Sequence, residues 1–120
     1  RSEGDQQFQA LPSLEFQKLI VGILINDRSA WAAEVFTAAL KEHGRALVMV
    51  EKSYGKGVVQ KLFPLSNRAA LQMTVSHYYT PSVRLIEGVG IAPNQVYPMP
   101  HELKDESYVE HVAEILMNRR

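Results

Sequence analysis

The run Leu19-Ile20-Val21-Gly22-Ile23-Leu24-Ile25 constrains this chain more than any other segment. It is apolar without a break and rich in β-branched residues, which suits a strand covered on both faces in a parallel or mixed sheet. Asn26-Asp27-Arg28-Ser29 interrupts it, and Asp27 or Ser29 is placed to cap a helix. From Ala30 to about His43 the chain is alanine-rich and stops at Gly44, a natural helix terminus. Val35, Ala38 and Ala39 recur there at helical spacing, with Trp31, Ala32 and Phe36 on overlapping faces. Ala46 to Val50 is a second apolar strand. Strand, helix and strand in that order predict a crossover unit, with alanines marking where the helix lies against the sheet.

Beyond it the pattern changes. Ser53-Tyr54-Gly55-Lys56-Gly57 is a turn with two glycines, Val58 to Leu65 is a third strand, and Ser66-Asn67-Arg68 reads as a hairpin turn. The next strand alternates, with Leu71, Met73, Val75, His77 and Tyr79 on one face and Gln72, Thr74, Ser76 and Tyr78 on the other. Thr80-Pro81 ends it, and Gly88, Gly90 and Pro93 mark a loop before a short strand near residues 95–97. Ser107-x-x-Glu110 is a capping box ahead of Val109, Val112, Ala113 and Leu116. The predicted organisation is an arm over residues 1–18, an α/β core over 19–100 and a closing helix over 101–120 packed on that core.

Several chemistries are absent from the page. The chain has no cysteine, which removes disulfides, thiolate catalysis and cysteine zinc sites. Thirteen Lys and Arg balance thirteen Asp and Glu without a basic run, which argues against a nucleic-acid footprint. No apolar run approaches the roughly 20 residues of a membrane span. His43, His77, His101 and His111 lack metal-ligand spacing, so no metal or cofactor is expected. His43 and His111 read as helix-surface residues and His77 as half-buried in its strand.

Four ordered segments carry a family resemblance. Val21 to Glu34, reading VGILINDRSAWAAE, resembles the strand and "SASASE" segment of the tail-specific, or carboxy-terminal processing, serine proteases. Gly44 to Gln60, reading GRALVMVEKSYGKGVVQ, is similar to their "GRALVVGEKTFGKGSVQ" segment. Tyr78-Tyr79-Thr80-Pro81-Ser82 and Gly88-Val89-Gly90-Ile91-Ala92-Pro93-Asn94 resemble "YYTPSG" and "GxGIxPD". The match is continuous from about Leu19 to Pro98. It implies a layered strand–helix core of the tail-specific protease, ClpP/crotonase-like type, as a partial domain.

The resemblance also implies a Ser/Lys dyad. The family serine stands at a helix N-terminus, where free N–H groups and the helix dipole favour negative charge. A lysine takes its proton, and a glutamine four residues later positions that lysine. Lys56 matches the base and Gln60 the assisting residue. The nucleophile, 25 residues before the lysine, corresponds to position 31, and position 31 is tryptophan. Ala33 replaces a further serine of the motif, Val50 and Val83 stand where the pattern has glycine, and Asn94 stands for aspartate. The oxyanion-hole N–H after the nucleophile maps to Ala32. Its second donor, a glycine well upstream, and the family's PDZ domain are expected beyond the N-terminus. Glu34 and Glu51 match positions read as structural.

Each position has a plainer reading. Trp31 is either a core-filling aromatic or a plug of the old cleft stacked on Lys56 as a cation–π pair. Ser29 is either an N-cap hydroxyl bonded to the Trp31 or Ala32 amide or a displaced nucleophile for Lys56. Lys56 is a working base, a remnant or a solvated turn lysine. The resemblance implies a core that has lost catalysis and serves as a peptide-binding or scaffold module. One alternative is an active C-terminal processing endopeptidase using Ser29 with Lys56, and another is a binder of small hydrophobic ligands on the same fold. The partners implied are a peptide or protein C-terminal segment, or the remaining parts of a longer chain, with oligomerisation compatible. A periplasmic or exported location follows from the family alone.

Overall fold

The structure is a computed structural model, and it describes residues 7–9, 11, 16–66, 68–97 and 106–118. Its elements run β1 (Val21–Ile25), α1 (Ala32–Glu42), β2 (Ala46–Val50), β3 (Val58–Pro64), β4 (Ala70–His77), β5 (Gln95–Val96) and α2 (Glu106–Met117). The arm predicted over residues 1–18 lies largely outside the described residues. β1 pairs parallel with β2 from Val21↔Ala46 to Ile25↔Val50, and β2 pairs parallel with β5 through Met49↔Gln95 and Val50↔Val96. Asn94 extends that seam, since its N–H donates to Val48 O at 2.7 Å and its Oδ1 accepts from Val48 N at 2.9 Å. An aspartate would offer the same acceptor, so the change to asparagine costs the seam nothing.

The sheet is covered on both faces, as its unbroken apolar strands require. On one side Ile25, Val48, Ile86 and Ile91 meet Ala38 and Val35 of α1. On the other, Met49 and Val50, with Leu24 and Leu47, meet Val112, Ile115 and Leu116 of α2. Strand alternation would send Val50 to the α1 side with Val48. It packs on the α2 side, and its φ of 94° marks where the strand turns over. The buried stripe of α1 is Glu34, Thr37 and Ala38, while Phe36, expected on the packed face, is 60% exposed. The helix ends as the sequence indicates: Gly44 adopts φ 65°, and Arg45 N closes on Leu40 O at 2.8 Å.

β3 and β4 form a separate antiparallel hairpin with a bulge between Val59 and Gln60. Every residue of β4 is exposed, including His77, which the sequence placed half inside. Alternation requires a second layer to cover one face, and none covers this ribbon among the described residues. The capping box also needs correction. α2 begins at Glu106, so Ser107 falls inside the first turn, and its side chain lies outside the described residues.

One buried carboxylate fixes the loop that follows β2. Glu34, 1% exposed, accepts from Ser53 Oγ at 2.5 Å and Gly55 N at 2.7 Å through Oε1, and from Lys56 N at 2.7 Å through Oε2. Ser53 Oγ accepts in turn from Ile91 N at 2.6 Å. Gly57 lies so close to Ile86 that a Cβ on it would come within 2.5 Å of the Ile86 Cβ. A second clamp holds the turn after β4: Arg84 donates to Glu42 at 2.5 Å, and Ser82 donates from both N and Oγ. The Arg84 guanidinium, aided by Ser82 and Thr80, holds the Glu42 carboxyl down from its ordinary 4.5 to about 2.

Trp31, Val50, Arg68 and Val83 all take positive φ. For a β-branched residue this costs on the order of 1–2 kcal/mol. Val50 is fully buried, and burial of a valine, worth roughly 1.5–3 kcal/mol, offsets the strain. Val83, at φ 62° and 76% exposed, has no such compensation.

Three outcomes are expected. Val83→Gly should stabilise the chain by about 1 kcal/mol in denaturant titration, after subtracting glycine's extra backbone entropy, whereas Val50→Gly should not. Glu34→Ala leaves two buried donors and the half-buried Lys56 amide unpaired and should destabilise by about 3 kcal/mol or more, read from the same titration. Glu42 contributes stability above its unfolded value near 4.5, and that contribution drains as pH falls toward 2. Denaturation midpoints of Glu42→Gln should therefore lack the part of the acid decline that the unmodified chain shows across that window.

Candidate active site

The turn between β1 and α1 and the loop between β2 and β3 meet at one end of the sheet, where parallel strands present their C-terminal ends. Ser29 O accepts from Tyr54 N at 2.9 Å, which ties the two segments together. Glu34 completes the join from within α1. Lys56 is thereby held by its own amide, while its side chain projects, half-buried, back over the start of α1.

Trp31 occupies the cap position of α1 with φ 60° and ψ −127°. This is a sparsely populated conformation for any residue with a side chain, costing about 1–3 kcal/mol. It is also the kind of sharp strand-to-helix turn on which a nucleophile is presented in other folds. Lys56 Nζ stands 4.6 Å from the centroid of the Trp31 ring. Trp31 is 42% exposed, so the core-filling reading does not hold, and the indole lies over the surface beside Lys56. A cation over an indole at a partly exposed site is worth about 0.5–1 kcal/mol, less than the upper range of the strain it accompanies.

The cap role expected of Ser29 is not found. α1 starts at Ala32, two residues later than expected, and no side chain caps it. Ser29 Oγ instead accepts from Asn26 N at 3.1 Å and approaches Asn26 Oδ1 at 3.4 Å. The reason is local: Ser29 N donates to Asn26 O at 2.9 Å, which closes a tight turn and keeps the hydroxyl inside it. The N–H groups of Ala32 and Ala33 therefore have no partner among the described residues, as expected of an uncapped first turn. Gln60 lies on β3, where its Oε1 accepts from Gln72 Nε2 across the hairpin at 2.7 Å. The site thus brings together Trp31, Lys56 and the Ala32 amide, with Gln60 engaged by Gln72. Sequence reading assigned Glu34 a structural place but missed its three acceptor bonds. The signal was present, since a lone glutamate on an alanine-rich helix face must find donors.

Comparison with known proteins bears on the family and the fold. Residues 2–97 match peptidase family S41. A carboxy-terminal-processing protease of Bartonella bacilliformis is 42% identical over 98 residues, covering 82% of this chain and 22% of that protein. A chloroplastic carboxyl-terminal-processing peptidase 2 of Arabidopsis thaliana is 41% identical over 87 residues, 72% of this chain and 16% of that protein. Among solved structures, a photosystem II D1 C-terminal processing protease aligns with TM-score 0.57 at 36% identity, over 68% of this chain and 22% of that one. Mature CPAF complexed with lactacystin aligns with TM-score 0.71 at 22% identity, over 92% of this chain and 23% of that one, which bears on the fold alone. The chain spans about a fifth of the length of these relatives. Its mixed α/β architecture, ordered motifs and family match together place it in peptidase family S41, among the carboxy-terminal processing serine peptidases.

Proposed function

We propose that this chain is a catalytically silent form of the family core, which holds a peptide or protein C-terminal segment, or the remainder of its own longer chain, without cleaving it. The observation that carries the reading is Trp31 on the strained turn where the resemblance places the nucleophile, with Lys56 Nζ 4.6 Å above its ring. Tryptophan has no hydroxyl to give up a proton, and its indole fills the space a scissile carbonyl needs. Loss of a serine nucleophile costs on the order of a millionfold in rate where it has been measured. Ser29 offers no replacement, because its hydroxyl is engaged with Asn26. The apolar, closed pocket that would favour a small-ligand binder at Trp31 does not fit an indole 42% exposed.

An exported or organellar place of action is part of the same proposal, supported by the chloroplastic relative. No helix among the described residues is long and apolar enough to cross a membrane.

The test uses a serine-directed fluorophosphonate probe and a protein with an unstructured C-terminal tail. The unmodified chain is expected to leave the tail intact and to gain no adduct. Trp31→Ser in the full-length protein is expected to acquire a probe adduct at residue 31 that Lys56→Met abolishes, while the same change in the 120-residue chain is expected to stay unreactive because the second oxyanion donor is expected upstream. A probe adduct on Ser29 in the unmodified chain, or tail cleavage above background, would overturn the proposal.

A further inference from the structure

The far end of α1 from Trp31, about 15 Å along the helix axis at 1.5 Å per residue, borders a cavity of about 240 Å³. Its two walls are pinned by adjacent helix residues. Glu42 holds the turn bearing Ser82 and Arg84, and Lys41 Nζ donates to Ala92 O at 2.5 Å on the opposite side. Ala38 and Ile91 form the floor, Leu85 and Val89 add apolar wall, and Lys52 reaches in from the segment after β2.

The charges do not balance. Glu42 is already spent on Arg84 and Ser82, which leaves Lys41 and Lys52 uncompensated. Lys41 uses one of its three donors on Ala92 O. Lys52 has no hydrogen-bond or ion-pair partner among the described residues. A ligand completing this cavity needs one negative group for the two ammoniums and an apolar body for the remaining surface. Phosphate fits less well, because the guanidinium fork that recognises it bidentately is engaged by Glu42 through Nη2 and by Ser82 Oγ through Nε. An apolar cavity of about 150 Å³ takes benzene, so this one has room for a chain of roughly five or six carbons together with its carboxylate.

We propose that the cavity beside Lys41 and Lys52 binds a small apolar monocarboxylate, with the carboxylate between the two ammoniums and the alkyl group against Leu85, Val89 and Ile91. Such a group arises either as a free short-chain acid or as the last residue of a peptide. The site is separate from the Trp31 turn and does not depend on whether that turn is catalytic.

Amide NMR titration of the chain with sodium pentanoate tests it. Saturable shifts of Val89, Ile91 and Ala92 are expected at millimolar concentrations, and pentanamide should bind about tenfold more weakly. Lys52→Ala should weaken pentanoate about fivefold or more, while Lys61→Ala, on the exposed hairpin, should leave binding unchanged. N-acetylvaline separates the two sources: tighter binding than pentanoate assigns the carboxylate to a peptide end, and weaker binding to a free acid, the site standing in either case. Equal binding of pentanamide, no saturable shift, indifference to Lys52→Ala, or tighter binding of inorganic phosphate at the same amides would each overturn the proposal.

Discussion

A single buried carboxylate organises the end of the sheet that matters. Glu34 sits on the first turns of α1, yet all of its donors come from residues 53 to 56, which follow the neighbouring strand. Burying a carboxyl group is costly unless its oxygens find donors, and two backbone amides and a hydroxyl supply three, at least one to each oxygen. The result is a rigid joint between helix and loop. Lys56 owes its position to that joint rather than to any contact of its own ammonium, so its amide is fixed while its side chain lies over whatever residue 31 presents.

What residue 31 presents is an indole on a strained, positive-φ backbone. Positions 31, 50 and 83, three of those where this sequence leaves the resembled pattern, all carry positive φ. At two of the three, Val50 and Val83, the resembled pattern has glycine, the residue that takes positive φ without strain. At Val50 core packing covers the cost, at Trp31 the ring over Lys56 recovers part of it, and at Val83 nothing in the structure does. The chain superimposes on a C-terminal processing protease with these side chains in place.

Much of this was legible in the residues. The crossover unit, the hairpin and the closing helix follow from uninterrupted apolar strands, an alanine-rich segment and turn residues, and the structure places them within a few positions. The rest was hidden for identifiable reasons. Ser29 is a good capping residue by type, but the Asn26 turn captures its hydroxyl before the helix begins. The alternation of β4 correctly marked a strand but not what covers it, because cover belongs to tertiary partners rather than to the strand. The strain at Trp31 and Val83 could not be read from composition, since φ is a property of the path and not of the residue. A lone glutamate on the alanine-rich face signalled that Glu34 needs donors but not which, because they lie some twenty residues away.

The two-residue strand β5 carries more topological weight than its length suggests. Residues 51 to 94, an arc holding Lys56, the hairpin and both clamped turns, hang between β2 and β5. Bringing the ends of so long an arc together is an entropic barrier that local contacts cannot lower. The β1–α1–β2 unit can therefore assemble early from nearby residues, and the arc settles on it through the Glu34 joint at Lys56, the Glu42 clamp on Ser82 and Arg84, and the β5 pairing. β5 is the seam that closes this arc on the sheet: Val48, Asn94 and Tyr97 all bond across it, so amide exchange at these three residues should report one shared opening event rather than three.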